Sequence, residues 1–343
     1  MTDKFPLFRL PHVALCEVLN YFRPEATLPL SLCSKKSKRL VKHCQEPRKK
    51  IDIELNVSEN VLEVYCDPII SVNAVASLPT DYEFETVDIG SHKVPVKMEN
   101  GILNTYWVDE EEGLKEVTKY TLDVFNRDLC AMAFRETLLS YDIRDWLEWI
   151  KIRQGTLRDL LLLSEMETDD DLLMYILESD IVTGDLDLLT SSFPEFRGPP
   201  PRPYSINSLY LAESKWITFD HLLAMDIKQI TLNYSLLTSP EINVFLKKWI
   251  NGECSKRIKV LIVGIKNVGN YDLLMEGIEF NRKDPSLRRV YATSCYSVEH
   301  ILGGFDVKRK EDGAMATVVK QPQGFLTMLK VVFWPDYKGT SYH

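Results

Sequence analysis

Residues 5–41 read FPLFRLPHVALCEVLNYFRPEATLPLSLCSKKSKRLV, and the punctuation of this stretch sets how the remaining chain is read. Leu10-Pro11 opens it. Leu15, Val18, Leu19 and Phe22 follow at helical spacing and form one apolar stripe. Arg23-Pro24 ends that helix, because the residue before a proline is pushed out of the α region. A second short segment carries Leu28, Leu30 and Leu32. Pro29 lies inside it, removing a backbone hydrogen bond and crowding the preceding turn, which predicts a short or kinked helix. Ser34 is placed to cap a third, basic helix. Three such helices are too small to enclose a core of their own. The expectation is therefore bare apolar surface, Leu15 and Leu19 above all, completed by another protein. The plain alternative is a helical subdomain packed on its own chain.

Outward from this stretch the pattern changes. Glu46-Pro47-Arg48-Lys49-Lys50 reads as a junction. Beyond it Ile51, Ile53, Leu55 and Val57 alternate with polar residues, as do Val94, Val96 and Met98. Asn100-Gly101 is a strong two-residue hairpin signal. Residues 51–108 are thus expected to be a small, mostly antiparallel β region, and residues 110–127 a helix with Leu114, Val117, Tyr120 and Val124 on one side.

From Leu129 an apolar-x-x-apolar-x-apolar phrase recurs: Leu129/Met132/Phe134, Leu157/Leu160/Leu162, Ile206/Leu209/Leu211, Ile227/Ile230/Leu232, Ile258/Leu261/Val263 and Leu287/Val290/Ala292. A weaker copy lies at Leu186/Leu188. Helix-period segments separate the phrases, among them Ile242/Phe245/Leu246/Trp249/Ile250. One strand and one helix per unit predicts stacked β–α units with parallel strands, each unit covering the open face of its neighbour. The phrase resembles the opening of a leucine-rich repeat. It lacks the Asn or Cys expected three residues past its last apolar position, which predicts a curved, irregular sheet. In the tail, strands flanking Asp312-Gly313 and the apolar segment 325–334 are expected to cap the last open edge.

Composition bounds the chemistry. Of 343 residues, 45% are hydrophobic and 27% charged, ordinary globular values. The net charge of −9 is uneven, with +7 on residues 1–50 and −16 on the rest. An acidic body does not suit nucleic-acid binding, so the basic run 35–50 reads as a solvated helix face. Seven dispersed cysteines, no C-x-x-C pair and no signal pattern in MTDKFPLFRLPH predict free, mostly buried thiols in a reducing compartment, cytoplasmic or nuclear. No apolar run has the length of a membrane span.

The chain shows no G-x-S-x-G elbow, phosphate loop or G-x-G-x-x-G, and its six histidines form no Cys/His cluster at ligand spacing. No catalytic residue, metal site or cofactor is expected. Asp169-Asp170-Asp171 reads as the first turn of a helix, where the dipole favours negative charge, rather than a cation site. Gly303-Gly304 reads as a turn. Residues 194–203, PEFRGPPPRP, read as a stiff surface loop, with a P-x-x-P ligand as the alternative. Trp146, Trp149 and Trp249 are assigned to the core, while Trp107, Trp216 and Trp334 remain candidates for a recognition surface.

Two resemblances organise these observations. Leu10-Pro11, the Leu15/Val18/Leu19 stripe, the Pro24 break and the run Leu30-Ser31-Leu32-Cys33-Ser34-Lys35-Lys36 together resemble an F-box. That resemblance implies docking on the Skp-type adaptor of cullin–RING ubiquitin ligases, through Leu10, Pro11, Leu15, Val18, Leu19, Leu30 and Leu32. Residues 222–263 resemble the type 2 F-box-associated domain of nematode F-box families at Leu223, Ile230, Leu237, Asn243, Phe245, Leu246, Trp249, Ile250 and Gly252. The expected architecture is α/β: a three-helix F-box at 1–46, a β-rich region with a helix at 47–128, and an irregular leucine-rich-repeat-like stack with an antiparallel cap at 129–343. The expected function is that of a non-catalytic substrate-recognition subunit holding an unidentified protein target. The alternative is an interaction adaptor that does not direct ubiquitination.

Overall fold

Pro11 and Pro24 bracket the first helix. Pro11 adopts extended backbone, and Phe22 and Arg23 return to it ahead of Pro24. The result is α1 (His12–Tyr21), preceded by a 3-10 turn at Leu7–Arg9, then α2 (Pro24–Leu32) and α3 (Lys35–Cys44). Pro24 occupies the start of α2, where its missing N–H has no intrahelical partner to lose. Pro29 sits inside α2 without ending it. The α3 start is capped as expected, Ser37 N–H donating to Ser34 Oγ at 3.0 Å.

This computed structural model describes residues 7–44, 51–66, 69–76, 84–136, 142–192, 195–265, 271–292, 298–323 and 326–334. The expected junction at Glu46-Pro47-Arg48-Lys49-Lys50 and the final residues 335–343 lie outside the described residues. The chain forms two compact units, Met1–Leu161 and Leu162–His343.

In the first unit, alternation of apolar and polar residues builds β1 (Asp52–Asn56), β2 (Val61–Tyr65) and β3 (Ile70–Val75), each with every second side chain buried. Then come β4 (Glu85–Ile89), β5 (His92–Glu99), β6 (Ile102–Tyr106), α4 (Glu110–Phe125), β7 (Ala131–Glu136) and α5 (Ile143–Gln154). The strand order is β7-β1-β2-β3-β6-β5-β4. Pairing is antiparallel except β3 with β6 and β1 with β7. Asn100 and Gly101 take positive φ (51° and 83°) at the β5–β6 turn, as the sequence requires. Asp109 caps α4 by accepting from Glu112 N–H at 3.0 Å. Gly113 in that helix has a steric reason: a Cβ there would stand 2.3 Å from the Trp107 ring.

The chain passes into the second unit within β8 (Asp159–Thr168), followed by α6 (Asp170–Glu178), β9 (Asp185–Ser192), β10 (Ser208–Leu211), α7 (Phe219–Ala224), β11 (Gln229–Leu232), α8 (Ser239–Ile250) and β12 (Val260–Val263). Strands β9 to β12 are parallel and in register. Leu186, Leu209, Ile230 and Leu261 form one row and Leu188, Leu211, Leu232 and Val263 the next, all buried. The repeated phrase is the sequence trace of these rows.

The sixth phrase departs from the expectation. After the short α9 (Tyr271–Leu274), Leu287, Val290 and Ala292 belong to β13 (Asn281–Ala292), which pairs antiparallel with β14 (Val298–Lys308), and Leu287 is exposed. Strands β15 (Met315–Gln323) and β16 (Leu326–Phe333) complete an antiparallel block, and β16 lies antiparallel along β12. The expected cap on the last parallel edge is therefore present. Gly313 turns the β14–β15 hairpin at φ 73°. Gly303 and Gly304 lie within β14, opposite the register shift in β13, and form part of a bulge rather than a turn.

Candidate functional site

The three opening helices close on themselves. Leu15 and Leu19 are each 3% exposed and pack with Cys44, against Leu7, Phe8, Leu10, Phe22, Leu30 and Leu40. This corrects the expectation of a bare Leu15/Leu19 stripe, since the α1 stripe is sealed by α3 and by the segments either side of α1. Of the seven expected docking residues, Leu15 and Leu19 are interior, Leu10, Val18, Leu30 and Leu32 are half-buried, and Pro11 is exposed. Among the described residues of this segment, the exposed large apolar side chains are Val13 (74% exposed) and Tyr21 (86%), two turns apart on the opposite side of α1. Sequence reasoning passed over both because they interrupt the polar face of the helix. An apolar residue repeated at i and i+8 on that face was the available signal.

The helices are held on the first unit's α4. Tyr120 hydroxyl donates to Ser31 Oγ at 3.2 Å, and Lys38 Nζ stands 4.2 Å from the Tyr120 ring centre. Asp123 accepts from Lys38 at 2.7 Å and also pairs with Lys42. Partial burial pushes the Asp123 carboxyl up, but hydrogen bonds and charge from the two lysines outweigh it and hold the group below the usual carboxylate range. Burial pushes the Tyr120 hydroxyl up to about 12. Two cations of the basic run are thus neutralised by α4, whereas Lys35, Lys36 and Arg39 remain exposed.

The expected cysteine chemistry needs two corrections. Cys16 and Cys44 are joined as a disulfide linking α1 to α3. Among the described residues the free cysteines are Cys33, exposed, and Cys66, Cys130 and Cys254, half-buried, so none is a fully buried thiol. Burial pushes the Cys254 thiol up to about 11. The sequence shows no Cys/His run at ligand spacing, and the fold nonetheless groups three such side chains. The donor atoms of His12, Cys16 and Cys44 lie within 4.8 Å of one another, because α3 returns beside α1, which spacing along the chain does not reveal.

In the second unit, the C-terminal end of α8 and strands β13 to β15 line a cavity of about 890 Å³ that includes Lys247, Lys283, Lys308, Lys310, Asn251 and Phe280. Its floor carries a buried network. Arg289 contacts Asp306 at 3.0 Å, Thr317 hydroxyl donates to Asp306 at 2.6 Å, and Trp334 Nε1–H donates to Thr317 Oγ1 at 2.7 Å. Asp306 is paired with Arg289 and, at 3.5 Å, with Lys283, and Glu279 also lines the cavity, so Lys247, Lys308 and Lys310 leave it with a net positive charge within an acidic chain. Such a cleft suits an acidic side chain or a phosphate.

The tryptophan and proline expectations are partly revised. Trp146 and Trp249 are core residues and Trp149 is half-buried. Trp107, Trp216 and Trp334 are buried too, at 8% exposure or less, and none forms a recognition surface. The proline-rich loop is packed down through Phe196 on Trp216 and a 2.8 Å hydrogen bond between His221 Nε2 and the Pro199 carbonyl. A Cβ on Gly198 would meet the Trp216 ring at 2.1 Å. Pro194 lies outside the described residues. Asp170 and Asp171 occupy the first turn of α6, with Asp169 at its N-cap.

Comparison with known proteins agrees with this arrangement. Residues 7–49 match the F-box domain family, and residues 203–263 match the family described as F-box associated. The first match covers the helices closed around Leu15, and the second spans β10 to β12. The chain therefore carries an F-box domain at its start and an F-box-associated domain in its second unit. A relative in Caenorhabditis elegans, the uncharacterized protein F59B2.8, is 21% identical over 98% of this chain and 79% of its own length. No solved structure matches. Among the described residues no helix is long and apolar enough to cross a membrane.

Proposed function

We propose that this chain is the substrate-recognition subunit of an SCF-type cullin–RING ubiquitin ligase, working in the cytoplasm or nucleus. The observation that carries the reading is the F-box match at residues 7–49, folded as a closed helical triad that leaves Val13 and Tyr21 uncovered. F-box domains generally bind Skp-type adaptors. Here Pro11, Val13, Val18 and Tyr21 would meet the adaptor, with Leu10, Leu30 and Leu32 at the margin. Leu15 and Leu19 act through the fold by keeping α1 in place. The second unit, whose β–α ladder is leucine-rich-repeat-like in this reading, carries the basic cleft that receives a protein target between α8 and the antiparallel block. Catalysis is positional: holding a target near the ligase raises the effective concentration of its lysines at the ubiquitin donor. The chain itself forms and breaks no bonds.

The test is co-purification of the full chain with a Skp-type adaptor. Val13→Glu with Tyr21→Glu changes only exposed positions, so it should abolish the complex while leaving the circular dichroism spectrum unchanged. A wild-type chain that ignores the adaptor at micromolar concentration, or a double variant that binds it undiminished, removes this reading. Target half-life in cells with and without the chain then separates a ligase receptor from an adaptor that does not direct ubiquitination.

A further inference from the structure

The helical triad holds a set of donor atoms that adaptor docking does not use. His12 opens α1 and Cys16 follows four residues later, so both project from one side of that helix. Cys44 closes α3, its Cα 4.7 Å from that of Cys16. His12 Nε2 stands 3.8 Å from Cys16 Sγ. His43, on the exposed side of α3, has its ring centre 5.1 Å from that of His12.

Tetrahedral Zn²⁺, with Zn–S near about 2.3 Å and Zn–N near about 2.0 Å, places its donors about 3.5–3.8 Å apart. The His12–Cys16 separation already matches that edge. Cys44 is buried, Cys16 half-buried and His12 exposed, so the donors run from core to solvent and leave an entry path. Thiolate and imidazole together select Zn²⁺ over the hard cations Mg²⁺ and Ca²⁺.

We propose that, once the Cys16–Cys44 bond is reduced, His12, Cys16 and Cys44 bind one Zn²⁺ whose fourth position faces His43. A thiol or phosphine reductant supplies two electrons, and two protons from water complete the pair of thiols, while the reductant is itself oxidised. Zn²⁺ then replaces both thiol protons, which leave to solvent. Disulfide and metal exclude each other because they use the same two sulfur atoms. Either one fastens the start of α1 to the end of α3, so the triad is clamped covalently under oxidising conditions and by the metal under reducing ones. This proposal is independent of what the F-box docks on.

The full chain, reduced with a phosphine and freed of metal, is titrated with Co²⁺ and then Zn²⁺. One equivalent of Co²⁺ should produce thiolate-to-metal charge-transfer absorption with the visible bands of tetrahedral cobalt, and Zn²⁺ should bleach both. Cys16→Ser and Cys44→Ser should abolish the charge-transfer band, and Cys33→Ser should leave it unchanged. His12→Ala, at an exposed position that the core does not need, should weaken Zn²⁺ binding by more than the roughly 10–100-fold typical of losing an outer-shell partner. Four results would overturn the proposal: no charge-transfer band, a band that survives both serine variants, His12→Ala binding as tightly as wild type, or oxidised protein binding equally well.

Discussion

Asp306 and Arg289 show how much a single pair of side chains decides. Both are 5% exposed, and the aspartate also accepts from Thr317, which in turn accepts from the Trp334 indole. Removing one member of a buried ion pair leaves the other charged and unpaired, at a cost of about 3–5 kcal/mol. Asp306→Ala should lower the urea midpoint of the second unit accordingly, and Thr317→Val should cost about 1–3 kcal/mol, because it removes two hydrogen bonds and leaves the buried Trp334 N–H without its acceptor. An Asp306→Ala chain as stable as wild type would show that the network contributes nothing. None of this was legible beforehand. Arg289, Asp306, Thr317 and Trp334 are spread over 45 residues, and a charged residue read in isolation is assigned to the surface. Leu186, Leu209, Ile230 and Leu261 were legible because each repeats the same local pattern, and that pattern survives without knowledge of its neighbours.

Helix α3 is attached to α4 in part through its cations. Asp123 has its acid range depressed by Lys38 and Lys42, so its contribution to stability is complete above the unfolded carboxylate value near pH 4 and is lost as pH falls through the lower folded value. Asp123→Asn should therefore speed amide hydrogen exchange in α3 at pH 7, and the difference from wild type should vanish at pH 2–3. Equal exchange at pH 7 would show that apolar contacts alone hold the helix. The same three helices also change the meaning of a familiar kind of variant. Leu15→Asp puts a charge into the triad's own core, so it should unfold the triad rather than merely prevent docking. Loss of adaptor binding from it is thus no proof of direct contact. The helices α1 to α3 were readable from Pro11, Pro24 and Ser34, local signals acting within one turn. Which face of α1 stayed open was not readable, because the answer depends on where α3 returns. The Leu287 phrase failed for a related reason: strand periodicity is the same whether the partner strand runs parallel or antiparallel.

Charge at the scale of the chain separates two jobs. The first 50 residues carry +7 and the rest −16, yet the cavity beside α8 gathers Lys247, Lys308 and Lys310 against Glu279, with Asp306 already paired to Arg289 and Lys283. Lys308→Glu with Lys310→Glu should change the set of proteins captured from cells without reducing recovery of the adaptor. An unchanged set would move target recognition away from this cleft. Composition alone pointed to an acidic body and gave no hint of a basic recess, since a net charge averages over the surface where a recess collects a few side chains from β13, β14 and α8.

β16 runs opposite to β12 along its whole length. A newly duplicated β–α module joined after β12 would find its hydrogen-bonding rail already taken, so lineages related to this chain can lengthen the ladder only by inserting modules upstream. Diversity in repeat number is therefore expected between β8 and β12, with the final four-stranded block inherited as a fixed terminus.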